Sequence, residues 1–514
     1  MSPTGDAAAA GATDTPRVSV IMPVRDVGEW IGETMESIRG QSMASWELIV
    51  VDDGSQDDTP DQVAALAATD PRVRLERNPG AGGATARNHG VSLARGDFLA
   101  FADGDDVVPR DAYRVLVDQA DATGAEMVVG NHVVVEPQRL TSRDQSLRVY
   151  DRVRTGLTIR DDPRLLRDRV CWNRVVRRSS WEALELEFAT SRRSNDILAM
   201  TEAYCALEFD VVPTPVYAYR RRVGTTSMTS GKHQPGALRD HFTQELACVA
   251  AVRRLDDAGV LKQFYAGILQ FDIWAHGVVA LERDEPEFDE VRQLLVELVT
   301  GAPAASLRGL PAFQRLVYQL VVRRAWGLAR AVVGATGPHA AEQLTRPDVL
   351  GVVSGIAHSD RALAQPLGEV LERVFLQPLV ETPYALSDEQ VRDLFDRALA
   401  FRDAAGIAGA LRGPVRRLLD GVYPHPAMLR AAARGLEARE ASSMSVERRL
   451  RKTVRAFRKD GPRAGLGELA RTARHVRPRH LVAAARRVER RQLEAGARKG
   501  VRTGVRVARR VVRR

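Results

Sequence analysis

The chain has 514 residues, 44% hydrophobic and 27% charged, with a net charge of +9, which fits a soluble globular protein of two or three domains. Three cysteines (Cys171, Cys205 and Cys248), odd in number and without metal-like spacing, argue against a disulfide framework and for a reducing, cytoplasmic compartment. No window offers the roughly 18 uncharged apolar residues of a membrane span: the stretch from Leu316 to Val333 is interrupted by Arg323, Arg324 and Arg330.

The charge is unevenly placed. Residues 445–514 hold 24 basic and 5 acidic side chains, a net +19, whereas residues 1–444 hold 51 and 61, a net −10. The basicity belongs to the tail, and the body is mildly acidic.

Residues 1–16 lack both a positive segment and a long apolar run, and read as a disordered leader rather than a signal peptide. The apolar run Val18–Met22 predicts a first strand. Ile31, Met35 and Ile38 follow at helical spacing, with Gly40 as the stop. Glu47–Val51 is a second strand ending in Asp52-Asp53-Gly54-Ser55. Asp58-Thr59-Pro60 starts a helix, and Val73–Leu75 is a third strand. A Gly-rich loop, residues 79–83, leads into a helix carrying Arg87 and Asn88. The next strand, residues 97–102, runs into Asp103-Gly104-Asp105-Asp106. Tyr113, Leu116, Val117 and Ala120 mark a helix, and Met127–Val129 a fifth strand.

This alternation predicts an α/β domain with a mainly parallel sheet and helices on both faces. Ligands of such sheets bind beyond the carboxyl ends of the strands, where both acidic clusters fall. Residues 131–235 are mixed, with a strand from Val211 to Tyr219 that opens into the polar loop beginning Arg220-Arg221-Arg222. Residues 236–440 read as almost wholly helical, with breaks at Pro303, Pro338, Pro366 and Pro378. Residues 441–514 read as basic amphipathic helix. The expected division is therefore 1–16, 17–235, 236–440 and 441–514.

Three carboxylates within four positions repel one another, so water or a cation must accompany them. Asp103-Gly104-Asp105 turns sharply after a buried strand, and glycine permits a tight turn that faces both carboxylates to one opening. Hard oxygen ligands suit Mg²⁺ or Mn²⁺, with water and substrate phosphates completing the shell. An isolated D-x-D is usually a solvated turn; its place after a buried strand, beside a second acidic strand end, favours function. Asp52-Asp53 could accept from a nucleobase or ribose. The loop at 80–85 fails G-x-G-x-x-G, since Thr85 holds the last position.

In order and spacing, residues 18–24, 47–55, 83–90 and 96–106 resemble the inverting family 2 glycosyltransferases of the GT-A, Rossmann-like fold, over about residues 17–230. The resemblance implies that Pro23 and Val24 line the nucleotide pocket, that Asp53 binds a uracil-type base, and that Arg87 sits near base or phosphate. It implies that Asp103 meets ribose or metal, that Asp105 ligates Mn²⁺ or Mg²⁺, and that Asp196 is the catalytic base. Arg220, Arg221, Arg222 and Ser227 resemble a segment closing over the diphosphate. Two departures from the pattern stand out: Asn195 replaces a usual Glu, and Arg25-Asp26 stand where Tyr-Asn is common.

The expected function is metal-dependent transfer of a sugar from a nucleotide-sugar, UDP-linked by expectation, to a hydroxyl of a cell-envelope polysaccharide or polyol-phosphate acceptor. The alternative is a catalytically degenerate GT-A domain serving as a scaffold. The basic tail suits an anionic membrane surface at the inner face of the cell membrane, and its sparse aromatics argue against nucleic acid. Self-association is left open.

Overall fold

The computed structural model describes residues 15–421 except 137–138, 143–147, 192, 223–232, 335–337, 382–385 and 412, together with residues 426, 428 and 429. The expected leader, but for residues 15–16, and the expected basic tail lie outside the described residues. The chain divides into two compact units, Met1–Val333 and Gly334–Arg514.

In the first unit the strands are β1 (Val18–Val24), β2 (Trp46–Asp52), β3 (Val73–Arg77), β4 (Phe98–Phe101), β5 (Met127–Glu136), β6 (Arg139–Ser142), β7 (Arg154–Leu157), β8 (Arg174–Arg177) and β9 (Phe209–Arg220). They form one sheet in the order β3-β2-β1-β4-β8-β5-β9-β7, with β6 beside β5. The four strands from β3 to β4 are parallel, as the sequence pattern predicts. Beyond β4 the sheet is mixed: β8 runs antiparallel to both β4 and β5, while β5 and β9 are parallel. The antiparallel insertion has a physical reason. β8 is reached through a long excursion from β5 rather than by a helical crossover, and only parallel neighbours need a crossover.

Helices cover both faces. They are α1 (Gly28–Arg39), α2 (Thr59–Ala67), α3 (Gly83–Leu93), α4 (Ala112–Thr123), α5 (Arg178–Ala183) and α6 (Ile197–Ala206). Alternate residues of β1, Val18, Val20, Met22 and Val24, pack with Ile31, Met35, Tyr113 and Leu116 in one apolar cluster. Ile49 and Val51 of β2 pack on the other face with Ala86 of α3. Strands buried on both faces read as continuous apolar runs, which is why β1 and β2 stand out in the sequence. Burying each such Ile or Leu side chain contributes about 1.5–3 kcal/mol.

Pro23 sits inside β1 without breaking it. Ile21 accepts from Ala102 on the β4 side, and Pro23, two residues on, faces that same side. There β4 has already ended, since its pairing stops at Ile21 opposite Phe101. The missing N–H therefore costs no ladder bond.

Three helices complete what the argument needs of the first unit: α7 (Pro235–Arg253), α8 (Ala258–Gln270) and α9 (Asp272–Glu282). In the second unit, Asp388–Ala404 begins with a reciprocal cap between Ser387 and Gln390 and buries Val391, Leu394, Ala398 and Phe401. Two expected breaks are not breaks. Pro366 lies in the first turn of the helix Ala364–Leu371, where its N–H would be unpaired anyway. Pro378 follows a π-helical turn, Glu372–Leu376, that accommodates its missing donor. Among the described residues no single helix is long and apolar enough to cross a membrane.

Candidate active site

Parallel register brings three strand ends to one edge of the sheet. Val24 pairs with Asp52, and Asp53 N–H donates to the Val24 carbonyl at 2.8 Å. Ala102 N–H donates to the Ile21 carbonyl at 3.1 Å, so Asp103 begins just beyond the same edge. The two acidic clusters are thereby neighbours despite fifty residues of separation.

Each carboxylate of the acidic turn has its own protein partner. Asp103 Oδ1 accepts from Arg87 Nη2 at 2.6 Å. Asp105 is paired with the guanidinium of Arg222, which also lies over the Trp30 ring, 4.1 Å from its centroid. Asp106 is turned inward and 1% exposed. It accepts from the Tyr217 hydroxyl at 2.9 Å and from Arg220 N–H at 2.7 Å. Burial first, then the Asp103 charge, push the Asp105 carboxyl up against the opposing pull of Arg222. Burial followed by the charges of Asp103 and Asp105 drives Asp106 well above the ordinary range.

Glycine at 104 has a different reason from the expected tight turn. Its φ is not in the left-handed region. A Cβ there would lie 2.9 Å from Val24 Cγ1 and 3.1 Å from Val27 Cγ2, so close packing of the turn on β1 requires glycine.

Arg87 joins the acidic turn to the Asp196 loop. It projects from α3, is 5% exposed, and donates from Nη1 to Asn195 Oδ1 at 3.1 Å. Burial opposes its charge, but the carboxylates of Asp103 and Asp196 around it outweigh burial and hold the guanidinium protonated. Phe188 lies beneath it, with its ring centroid 5.6 Å away. Arg87 is thus a buried strut, where the resemblance places it near base or phosphate. Asn195 is buried and engaged with that strut.

Asp196 stands at the N-cap of α6, yet its side chain caps nothing. Among the described residues its carboxylate accepts no hydrogen bond from another side chain. Burial pushes the carboxyl up, and Arg87 pulls it down. A carboxylate that is half-buried, raised by burial and free of side-chain donors is suited to take a proton.

Asp53 is committed to the Gly-rich loop. Its Oδ1 accepts from Asn78 Nδ2 at 2.6 Å and from Gly82 N–H at 2.8 Å. Gly82 has φ 91°, a positive-φ conformation open to glycine, and is the N-cap residue that precedes α3. Arg25 Nη1 lies 3.8 Å from Asp53 Oδ2. Val24 is buried in the core, while Pro23 is half-buried at the edge.

The three arginines after Tyr219 diverge. Arg220 pairs with Glu33 of α1 at 2.7 Å, and Arg221 pairs with Glu136 at 2.7 Å. Of these three side chains, only that of Arg222 reaches the acidic turn, while Arg220 meets it through its backbone N–H. Ser227 lies outside the described residues.

Tyr217 escaped the sequence reading. Its hydroxyl accepts from Asp103 N–H at 2.9 Å while donating to Asp106, and its ring stacks on Trp172 with centroids 4.3 Å apart. The signal available was a tyrosine in the alternating strand leading to the arginine loop. Among the described residues no group of three or more His, Cys, Asp or Glu side chains is placed to hold a metal ion.

Residues 19–184 match the sequence model of the family described as glycosyl transferase family 2. The chain is 33% identical over 230 residues to the succinoglycan biosynthesis protein ExoO of Rhizobium meliloti, covering 41% of this chain and 63% of that protein. It is 34% identical over 116 residues to the glycosyltransferase GlyG of Streptococcus pneumoniae, covering 22% and 38%. The chain spans less than two thirds of the length of these curated relatives. In structure it is similar to residues 1–349 of TarS from S. aureus, solved in complex with UDP-GlcNAc. The TM-score is 0.53 at 18% identity, over 61% of this chain and 90% of that one. That likeness is one of fold, a GT-A domain followed by helices.

Proposed function

Through residues 19–184 the chain belongs to the family 2 glycosyltransferases, and from that premise we propose that it transfers a sugar from a nucleotide-sugar to an acceptor hydroxyl, inverting the anomeric centre. The observation that carries this reading is the Arg87 strut, which ties Asp103 at one strand end to Asn195 beside Asp196. Donor diphosphate and acceptor hydroxyl would meet between those two carboxylates.

The residues take distinct parts. Asp53, held by Asn78 and the Gly82 amide, offers a preset carboxylate oxygen to the nucleobase, with Pro23 beside it. Asp103 faces the ribose. Asp196 takes the proton of the acceptor hydroxyl as that oxygen attacks. Arg222 shields the acidic turn with its own charge and can turn that charge toward a diphosphate. Arg220 and Arg221 hold the base of the same segment through Glu33 and Glu136.

The donor set fits a divalent cation. Asp106 is used up inward, which leaves Asp103 and Asp105 as hard oxygen donors in a place where burial and like charge favour added positive charge. Mn²⁺ or Mg²⁺ held there would supply charge to stabilise the departing diphosphate. Asn195 does not weaken this reading, because its part is to accept from Arg87 rather than to receive a proton.

Similarity to TarS supports a UDP-linked donor, and similarity to a succinoglycan biosynthesis protein supports a cell-envelope glycan acceptor. The net +19 of residues 445–514 supports attachment to anionic lipid at the inner membrane face. In the same reading, residues 17–235 form the transferase domain, 236–440 a helical domain and 441–514 the basic tail.

The test is Asp196→Asn. Sugar transfer should fall by about 10²–10⁴-fold, the usual worth of a general base, while UDP and Mn²⁺ still raise the melting temperature. Transfer at the wild-type rate would refute the assignment.

A further inference from the structure

The loop that presents Asp196 contains an uncommon conformation. Ser194, two residues earlier, has φ 55°, in the left-handed region that serine seldom occupies. Something must hold it there. His241 Nδ1 lies 2.8 Å from Ser194 Oγ, and the imidazole is 4% exposed.

His241 stands on a rigid support. One turn further along α7, Glu245 accepts from Arg169 through both oxygens, at 2.7 and 2.8 Å, in a fully buried ion pair. The ring of His276 on α9 meets the His241 ring edge-on, with centroids 4.4 Å apart. Burial first, then His276, Arg169 and Arg193, hold the imidazole well below its ordinary value, so it is neutral and can exchange one hydrogen bond with a hydroxyl. The rest of the loop is pinned independently. Asn88 accepts from Phe188 N–H and donates to the Phe188 carbonyl, both at 2.9 Å, and Ala189 N–H donates to the Asn195 carbonyl at 3.2 Å. Arg87 holds Asn195 from the other side.

We propose that His241 is a positioning residue for transfer: its hydrogen bond to Ser194 keeps the left-handed turn that aims Asp196 at the acceptor hydroxyl. This rests on Asp196 as the base. It gives the helix after the transferase sheet a part in the reaction. Without the bond, Ser194 relaxes toward negative φ, and the carboxylate two residues on loses its aim while the donor pocket stays intact.

The test uses the full-length protein with His241→Ala, His241→Asn, Ser194→Ala, the double variant His241→Ala with Ser194→Gly, and Asp196→Asn. Hydrogen exchange is read over residues 188–200. Turnover is read as nucleotide release from UDP-GlcNAc, UDP-glucose and GDP-mannose with Mn²⁺. We expect His241→Ala to speed exchange over 188–200 and to lower kcat at least thirty-fold, with donor KM within two-fold of wild type. His241→Asn, which keeps a polar atom near the Nδ1 position, should recover most of the loss. Ser194→Gly in the His241→Ala background should recover at least ten-fold, because glycine holds φ 55° unaided. Ser194→Ala leaves the imidazole's packing in place and should also lower kcat, which keeps the test open if His241→Ala folds poorly. Unchanged exchange over 188–200 in both His241→Ala and Ser194→Ala overturns the proposal whether or not a donor is turned over, as does an equal loss in kcat with and without Ser194→Gly. Wild-type turnover by Asp196→Asn refutes the base assignment instead, while exchange still reports the His241 contact.

Discussion

The Arg87 guanidinium donates to the Asn195 side-chain oxygen at 3.1 Å, joining α3 to a loop 108 residues further along. Its other terminal nitrogen holds Asp103 at 2.6 Å. Removing one partner of a buried charge pair costs about 3–5 kcal/mol. Arg87→Ala should therefore unfold at clearly lower denaturant, and sugar transfer should fall because Asp103 and Asn195 lose their common anchor. Urea unfolding and transfer rate measured on one preparation check both.

Arg222 occupies the Asp105 carboxylate with its own charge. Arg222→Ala should bind Mn²⁺ more tightly in the absence of nucleotide, because the ion no longer competes with a guanidinium. The same variant should bind UDP with Mn²⁺ more weakly. Mn²⁺ titration followed by electron paramagnetic resonance, with and without UDP, reads the two effects separately. Equal Mn²⁺ affinity in variant and wild type would show that Arg222 does not guard the site.

The sheet of the first unit was largely legible in the sequence, and the reasons are local. Strands buried on both faces show as apolar runs, and Tyr113, Leu116, Val117 and Ala120, spaced for one helical face, are all buried in α4. The acidic turn was visible because charge clustering needs no tertiary knowledge. What stayed hidden depends on contacts between distant residues. The Arg87–Asn195 bond, the Tyr217 hydroxyl beneath Asp106 and the His241–Ser194 contact each join segments with no shared periodicity. The divergence of Arg220, Arg221 and Arg222 toward Glu33, Glu136 and Asp105 was equally invisible, since three successive arginines look alike on paper.

Tyr217 fixes the acidic turn from below, accepting from Asp103 N–H and donating to Asp106 at 2.9 Å each. Tyr217→Phe keeps the stack on Trp172 and leaves a buried amide and carboxylate short of a partner. The expected loss is about 1–3 kcal/mol of stability, read by urea unfolding, with a lower affinity for UDP in the presence of Mn²⁺.

Glu47 gives a pH signature remote from the site. It is 2% exposed and accepts from Ser19 Oγ at 2.6 Å and from Arg95 N–H at 2.8 Å. Burial alone would raise its carboxyl, but Ser19 and Arg95 outweigh burial and lower it. A depressed carboxylate adds stability above its unfolded value of about 4.3 and loses it as pH falls through the folded value. Glu47→Gln should therefore melt below wild type at pH 7, and the gap should narrow as the pH is lowered below about 4. A gap independent of pH would mean that Glu47 contributes through shape rather than charge.

The most direct test of the central claim is the melting temperature of the full-length protein with UDP, with and without Mn²⁺, for wild type, Asp105→Ala and Asp196→Asn. Ligands that bind the native state raise it by mass action. We expect a UDP shift that requires Mn²⁺, disappears in Asp105→Ala and survives in Asp196→Asn. A shift unchanged in Asp105→Ala, or none with UDP and Mn²⁺ together, would contradict a UDP-sugar transferase site built on the acidic turn.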